Sequence, residues 1–429
     1  MLKHIFTNSA GILLSRILGF LRDLLTASIL GASIYSDIFF VAFKLPNLFR
    51  RIFAEGAFTQ AFIPSYAKSR QKLQFSFIIF LQFLAFLLLL SFFVTLFAPF
   101  ITKAIAVGFS SDIIDIATPY VAICFYYLPL IFIVTFFAAL LQYKHHFSTT
   151  AFSTALLNIA LIFALLLSKG KSDQTIVYYL SYGVIIGGIL QVIAHIIAIK
   201  IQKIKFFTFN KKALKPNQDT KKFYQTFFPA VFGSSAAHLS AFLDTWLASF
   251  LVSGTISYLY YANRVFQLPL ALFAIATSVA LFPSVAKAIK NKDNQKARNL
   301  LNKASKILLL LLGSATIIGI VFSEQIVWLL FQRGSFTKID TANTSIVLIM
   351  YLIGLIPFGL SKIYMLWLYS HQKQNTAAKI TMKSLGINIV LSLILIVPYK
   401  AVGLALASSL SGFILLYFTL KEIKNHNST

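Results

Sequence analysis

The chain has 429 residues, of which 58% are hydrophobic and only 12% charged, with a mean hydropathy of +0.80 and a formal net charge of +26. A soluble protein of this length needs about a quarter of its residues charged to cover its surface, so a soluble enzyme, a secreted disulfide scaffold and a disordered chain are excluded. The apolar residues come in runs of about 20, the length that crosses a bilayer as helix, and not in the short alternating strands of an outer-membrane barrel. This is the composition of a multi-pass helical membrane protein.

Apolar runs and their breaks predict twelve spans, at 6–30, 34–54, 75–101, 113–142, 149–168, 175–199, 223–251, 256–284, 304–323, 341–369, 376–397 and 401–420. The first carries Arg16, Arg22 and Asp23. A cleavable signal peptide keeps its apolar stretch free of charge, so this segment is expected to remain as a membrane helix. The single cysteine, Cys124, falls in an apolar run and cannot form an intrachain disulfide. No loop is large enough for a catalytic domain. The longest, at 201–222, is the expected joint between an N-terminal lobe at 1–200 and a C-terminal lobe at 223–429.

Orientation follows from the 38 Lys and Arg residues. With the N-terminus inside, 27 fall on the cytoplasmic side when those at the inner ends of spans are counted there, 6 on the outer side and 5 deeper within spans. Both termini are then cytoplasmic. The basic loops face lipid headgroups, which accounts for the +26 charge without nucleic acid.

The two lobes carry a faint internal repeat. Pro46 of Leu45-Pro46 follows Gly31 by 15 residues, and Pro269 of Leu268-Pro269 follows Gly254 at the same spacing. Ile63-Pro64-Ser65 and Phe282-Pro283-Ser284 come next, 18 and 14 residues beyond those prolines. The difference of four is about one helical turn, which preserves facing. Six helices per lobe give both the same orientation, so a pseudo-twofold axis along the membrane normal is expected, with a substrate site between the lobes. That is transporter architecture. Pro46 and Pro269 each remove a helical hydrogen bond and permit a kink, either as passive bends or as moving joints.

Charges inside spans are costly and normally face a partner or a wet cavity. They cluster in the first two spans as Arg16, Arg22, Asp23, Asp37 and Lys44, with Arg50, Arg51 and Glu55 at the inner end of the second. The remaining spans hold Asp244, Arg264 and Lys362. Arg16 and Asp23 are seven apart on nearly one helix face, as are Asp37, Lys44 and Arg51, so internal ion pairs are one reading. Arg16, Arg22, Lys44, Arg50 and Arg264 outnumber Asp23 and Asp37 by three, which favours a wet cavity awaiting an anion. Arginine suits a diphosphate because it is always charged and gives two parallel hydrogen bonds. Asp244, with Asn388 and Ser408 as neutral oxygens, is either a site for a coupling cation or proton or a satisfied structural acid. The histidines lack metal-ligand spacing, and no metal or cofactor is expected.

The stretch from Ser15 to Asp23 (SRILGFLRD), followed by Ser36 to Phe58 (SDIFFVAFKLPNLFRRIFAEGAF), closely resembles the MurJ (MviN) lipid II flippases, within the multidrug, oligosaccharidyl-lipid and polysaccharide exporter superfamily. Further matches are Tyr260-Tyr261-Ala262-Asn263-Arg264, Leu281-Phe282-Pro283-Ser284 and Phe331-Gln332-Arg333-Gly334-Ser335-Phe336-Thr337. The resemblance implies movement of the undecaprenyl-diphosphate-linked peptidoglycan precursor from inner to outer leaflet by alternating access. It further implies that Arg22, Arg50 and Arg264, with Arg16, hold the diphosphate and headgroup. Asp23, Asp37 and Glu55 match acids implicated in packing or gating, and Lys44 lies on the same face as Asp37. Many relatives have Asp where this chain has Asn263, so Arg264 lacks that local pairing. Longer relatives carry two more C-terminal helices that line a groove for the lipid tail.

Lipid II, membrane lipids and cell-wall synthesis enzymes are the expected partners, and a monovalent cation or the membrane potential the expected drive. Rival readings are an exporter of another polyprenyl-linked oligosaccharide or a drug, a polytopic enzyme acting on polyprenyl phosphates, and an envelope scaffold. A drug site would favour acids and aromatics, an enzyme would need acidic or histidine clusters, and a scaffold would not need arginines inside spans.

Overall fold

The computed structural model describes residues 2–52, 58–206 and 218–425, and every element among them is helical. Glu55 lies outside the described residues, as does half of the expected joint at 201–222, residues 207–217. The described chain separates into two compact units, Met1–His238 and Leu239–Thr429.

In the first unit, α1 (Leu2–Leu30) ends where Gly31 takes the left-handed φ of 64°, a conformation that costs glycine no Cβ clash. α2 (Ile34–Ile52) starts on a reciprocal cap: Ser33 N–H donates to Ser36 Oγ at 2.9 Å and Ser36 N–H to Ser33 Oγ at 3.4 Å. α3 (Phe58–Lys68) precedes α4 (Lys72–Leu96) and α5 (Ala98–Ile105), which share one apolar run broken just before Pro99. α6 (Ser111–Phe125) and α7 (Tyr127–Tyr143) divide the next run at Tyr126. α8 (Ser148–Ser168) and α9 (Asp173–Ile201) complete the set. They pack so closely that a Cβ built on Gly187 would lie 2.9 Å from the Leu157 Cα. Small residues are what permit such contact between helices in lipid, where hydrophobic burial gives no drive.

α10 (Gln218–Ala248) opens on a phenylalanine cluster. Phe223 sits 5.9 Å from Phe58, 6.1 Å from Phe75 and 5.5 Å from Phe227, and Phe227 lies edge-on to Phe83 at 5.1 Å. These ring contacts tie the first turns of α10 to α3 and α4, and they are why the boundary between units falls inside α10.

The second unit continues with α11 (Thr255–Pro269), a π-helical turn (Leu270–Ile275) and α12 (Ala276–Lys290). Gly254, before α11, has φ 88°, matching the left-handed Gly31 of the internal repeat. The wider turn follows Pro269 directly, where the missing N–H has already interrupted the helical ladder. α13 (Asn294–Val321), α14 (Ser323–Phe331), α15 (Lys338–Ile353) and α16 (Leu355–Ser370) follow. α17 (Gln374–Asn425) is broken at Lys400 (φ 50°, ψ −128°), two residues past Pro398 and between the last two expected spans.

Among the described residues, eight helical segments are long and apolar enough to cross a membrane. They are Lys72–Leu96, Ser111–Tyr143, Ser148–Ser168, Asp173–Ile201, Thr255–Lys290, Asn294–Val321, Lys338–Ser370 and Gln374–Asn425. The chain is a membrane protein.

Candidate functional site

In the first unit the charges expected inside spans gather on α1 and α2. Arg22 is 9% exposed and Asp23 1%. Arg22 Nε and Nη2 donate to Asp23 Oδ1 at 3.1 and 2.6 Å, and Nη1 donates to Asn158 Oδ1 on α8 at 3.0 Å. Asn158 is held in turn, its Nδ2 donating to the Ser15 carbonyl at 3.0 Å. The guanidinium is therefore clamped by side chains from two helices, its plane and direction fixed before anything binds it. Gly19, one turn before Asp23, leaves room for this, since a Cβ there would already lie 3.4 Å from Asn158 Nδ2.

Of the internal ion pairs that were one reading of these charges, Asp23 forms its pair with Arg22 and not with Arg16. Seven residues put their backbones about 10 Å apart along the helix axis, too far for the short aspartate side chain. The long Arg22 side chain folds back onto its neighbour instead, and Arg16 is exposed, beside exposed Ile12, Leu13 and Ile17.

On α2, Asp37 is 2% exposed in the first turn, where a carboxylate is favoured by the helix dipole. Lys44 is half-buried two turns later. Arg50, also half-buried, donates through Nε and Nη2 to Asn47 Oδ1 at 3.2 and 3.1 Å. Sharing one amide oxygen between two guanidinium donors orients the fork.

In the second unit, Arg264 on α11 donates from Nη2 to the Tyr260 hydroxyl at 2.7 Å, and its guanidinium carbon lies 4.9 Å from that ring's centre. The i, i+4 spacing builds this pair, and a cation over a tyrosine face gains electrostatically from the ring quadrupole. Asn263 is engaged by Gln267 on its own helix and lies close to Tyr351 of α15. Tyr351 also lies within electrostatic reach of Asp244 on α10. Asn388 is 2% exposed on α17, and Ser408 lies past the break at Lys400, its carbonyl accepting from the Ser411 hydroxyl at 2.7 Å. Among the described residues, no three or more His, Cys, Asp or Glu gather as metal ligands.

Two residues escape a reading of the charged positions alone. Asn158, 136 positions from Arg22, shows only as a lone amide in the apolar span 149–168. Tyr260 was visible as the i−4 neighbour of Arg264, a spacing that brings side chains together on any helix. Each unit by itself holds oriented guanidinium groups, the first on α1 and α2 and the second on α11. Such groups recognise carboxylate or phosphate oxygens.

A family model described as lipid II flippase MurJ matches residues 26–428. A probable lipid II flippase MurJ of Helicobacter pylori (strain J99 / ATCC 700824) is 49% identical, the alignment spanning 92% of this chain and 89% of that protein. A solved lipid II flippase MurJ in an inward closed conformation superposes with a TM-score of 0.86 at 27% identity, covering 97% of this chain and 87% of the other. A multidrug resistance MATE family transporter of the MOP superfamily, solved inward-facing, superposes with a TM-score of 0.76. At 12% identity, over 96% of each chain, it shares the fold alone. With a family model spanning nearly its whole length and a relative identical at almost half its positions, the chain belongs to the MurJ lipid II flippase family.

Proposed function

We propose that this chain moves lipid II, the undecaprenyl-diphosphate-linked disaccharide-peptide, from the inner to the outer leaflet of the bacterial cytoplasmic membrane. The observation that carries this is the clamped Arg22, a guanidinium 9% exposed within an apolar helix bundle, in a chain of the MurJ family. A diphosphate is the part of the cargo that must be taken out of water, and arginine recognises it bidentately. Arg50 and Arg264 are assigned to the same anionic headgroup, with Arg16 at its margin; Asp23, Asp37, Lys44 and Glu55 set the charge balance and gating around them.

The twelve predicted spans are taken as twelve crossings in two six-helix lobes, with both termini cytoplasmic. The 52-residue α17 supports two crossings, because it would run about 78 Å unbroken against a hydrocarbon core of about 30 Å. Alternating access would carry the headgroup while the polyprenyl tail stays in lipid. A membrane potential negative inside favours outward movement of an anion by about 2.3 kcal/mol per charge per 100 mV.

The test is complementation with a direct readout. The chain is expressed in a bacterium depleted of its own lipid II flippase, and outer-leaflet lipid II is measured by cleavage with an externally added lipid II-degrading toxin. Restored exposure, lost again in Arg22→Ala and in Arg264→Ala, is the expected result. Membrane insertion without exposure would point to another polyprenyl-linked cargo.

Asp244, with Asn388 and Ser408, is assigned to a monovalent cation that resets the cycle. Asp244→Asn should then remove the dependence of transport on that cation while leaving cargo binding intact. Unchanged ion dependence in the same exposure assay would retire this assignment.

A further inference from the structure

The segment Phe331–Thr337 has no part in binding cargo as proposed above, yet it is tied down by several side-chain hydrogen bonds. Arg333 folds back onto the end of α14, donating through Nη1 to the Leu330 carbonyl at 3.2 Å and through Nη2 to the Leu329 carbonyl at 2.7 Å. Gly334 takes the left-handed φ of 59° that reverses the chain. Thr337 then caps α15 in a reciprocal box. Its N–H donates to Asp340 Oδ2 at 2.8 Å, and the Asp340 N–H donates to Thr337 Oγ1 at 3.3 Å. Thr341 ties the box to the turn through Gln332 Oε1 at 2.8 Å.

One oxygen of Asp340 is thus committed to the cap. The other, Oδ1, accepts a buried hydrogen bond of 3.0 Å from the hydroxyl of Tyr258, on α11. One turn further along α11, the fully buried Tyr261 packs against Phe331 at 5.1 Å and Phe336 at 5.7 Å. Tyr258 and Tyr261 therefore form the face of α11 held by the α14–α15 turn, and both are buried. Tyr260 and Arg264 lie about 100° around the same helix.

We infer that Asp340 and Tyr258 are positioning residues for Arg264. They set the rotation of α11 about its axis and so the direction in which the Tyr260–Arg264 pair is presented. Apolar packing of Tyr261 tolerates a small rotation, because dispersion contacts are many, weak and non-directional. A hydrogen bond onto a carboxylate already locked in a capping box does not. Its geometry fixes one azimuth. Misplacing a binding group by about 1 Å is enough to cost up to about a hundredfold where orientation matters. This inference rests on the assignment of Arg264 to the anionic headgroup.

The test is a double-mutant cycle on the purified full chain, reading equilibrium binding of fluorescently labelled lipid II together with thermal melting. Tyr258→Phe keeps the ring and deletes the hydroxyl. It should weaken binding about tenfold, or 1.4 kcal/mol, in the otherwise unchanged chain. In an Arg264→Ala background the same change should weaken binding less than twofold, because there is no guanidinium left to misplace. Any shift in melting temperature should be equal in the two backgrounds. Asp340→Asn should reproduce the pattern. If Tyr258→Phe does not yield folded protein, Thr337→Val, which loosens the cap holding Asp340, goes through the same cycle.

An equal loss of affinity in both backgrounds would overturn the inference and make the contact purely structural. If Arg264→Ala alone leaves affinity unchanged, the assignment of Arg264 fails and the inference falls with it. The two failures are thereby told apart.

Discussion

Replacing Arg22 by alanine is expected to abolish lipid II exposure and to destabilise the protein at the same time. Its ion pair with Asp23 has side-chain exposures of 10% and 2%, so solvent screening is slight. Removing one member of a buried pair leaves the other charge uncompensated, at a cost of about 3–5 kcal/mol. A null phenotype would therefore not distinguish a cargo-binding arginine from a structural one.

The informative variant removes these three polar side chains together, as Arg22→Met, Asp23→Leu and Asn158→Leu. Replacing a buried ion pair by apolar side chains of similar volume is often neutral or stabilising by about 1–4 kcal/mol, and removing Asn158 avoids leaving its Oδ1 orphaned. The triple variant should melt close to the parent yet show no outer-leaflet lipid II. Arg22→Lys should sit between the two, keeping the charge but losing the planar fork that reaches Asp23 and Asn158 together. If the triple variant exposed lipid II at the parental level, Arg22 would be a packing residue and the proposed headgroup site would be wrong.

The second large effect is expected at Gly187. A Cβ there would meet Leu157 at 2.9 Å from its Cα and 2.7 Å from its Cδ1. The side-chain methyl can move; the α8 backbone cannot without separating the two helices along their contact. Gly187→Val should cost about 1–3 kcal/mol or more through overpacking, seen as a lower melting temperature and loss of the monodisperse peak in gel filtration. α8 also carries Asn158, so displacing it disturbs Arg22, and transport should fall further than stability alone requires. Gly313→Val is the control, since a Cβ at Gly313 meets nothing within 4 Å. Equal melting of the Gly187 and Gly313 variants would contradict the close α8–α9 packing.

Much of this protein could be read before any coordinates. Helix boundaries are dictated locally, by where apolar runs stop and by glycine, serine and proline at the stops. Gly31, Gly254 and the break at Lys400 lie where the sequence placed ends of spans. The π-helical turn after Pro269 is a local consequence of a missing N–H, though its wider form, compared with a simple kink, was not foreseeable. Arg264 with Tyr260, and Arg50 with Asn47, are neighbours one turn apart on their own helices, and such pairs follow from helical spacing.

The charged cluster shows where that reasoning stops. The sequence determined that Arg22, Asp23, Asp37, Lys44 and Arg264 lie in apolar helices, since composition and periodicity need no partner to be read. It did not determine whom they meet. Arg16 and Asp23 share a face in projection, but side-chain length and axial rise decide the contact, and Asp23 goes to Arg22. Asn158 joins that pair from 136 residues away, and Asp340 reaches Tyr258 across 82. Contacts at such separations are selected by how whole helices pack. Tertiary structure alone fixed them, because the free energy that chooses a helix partner is spread over an entire interface and leaves little trace at any single position.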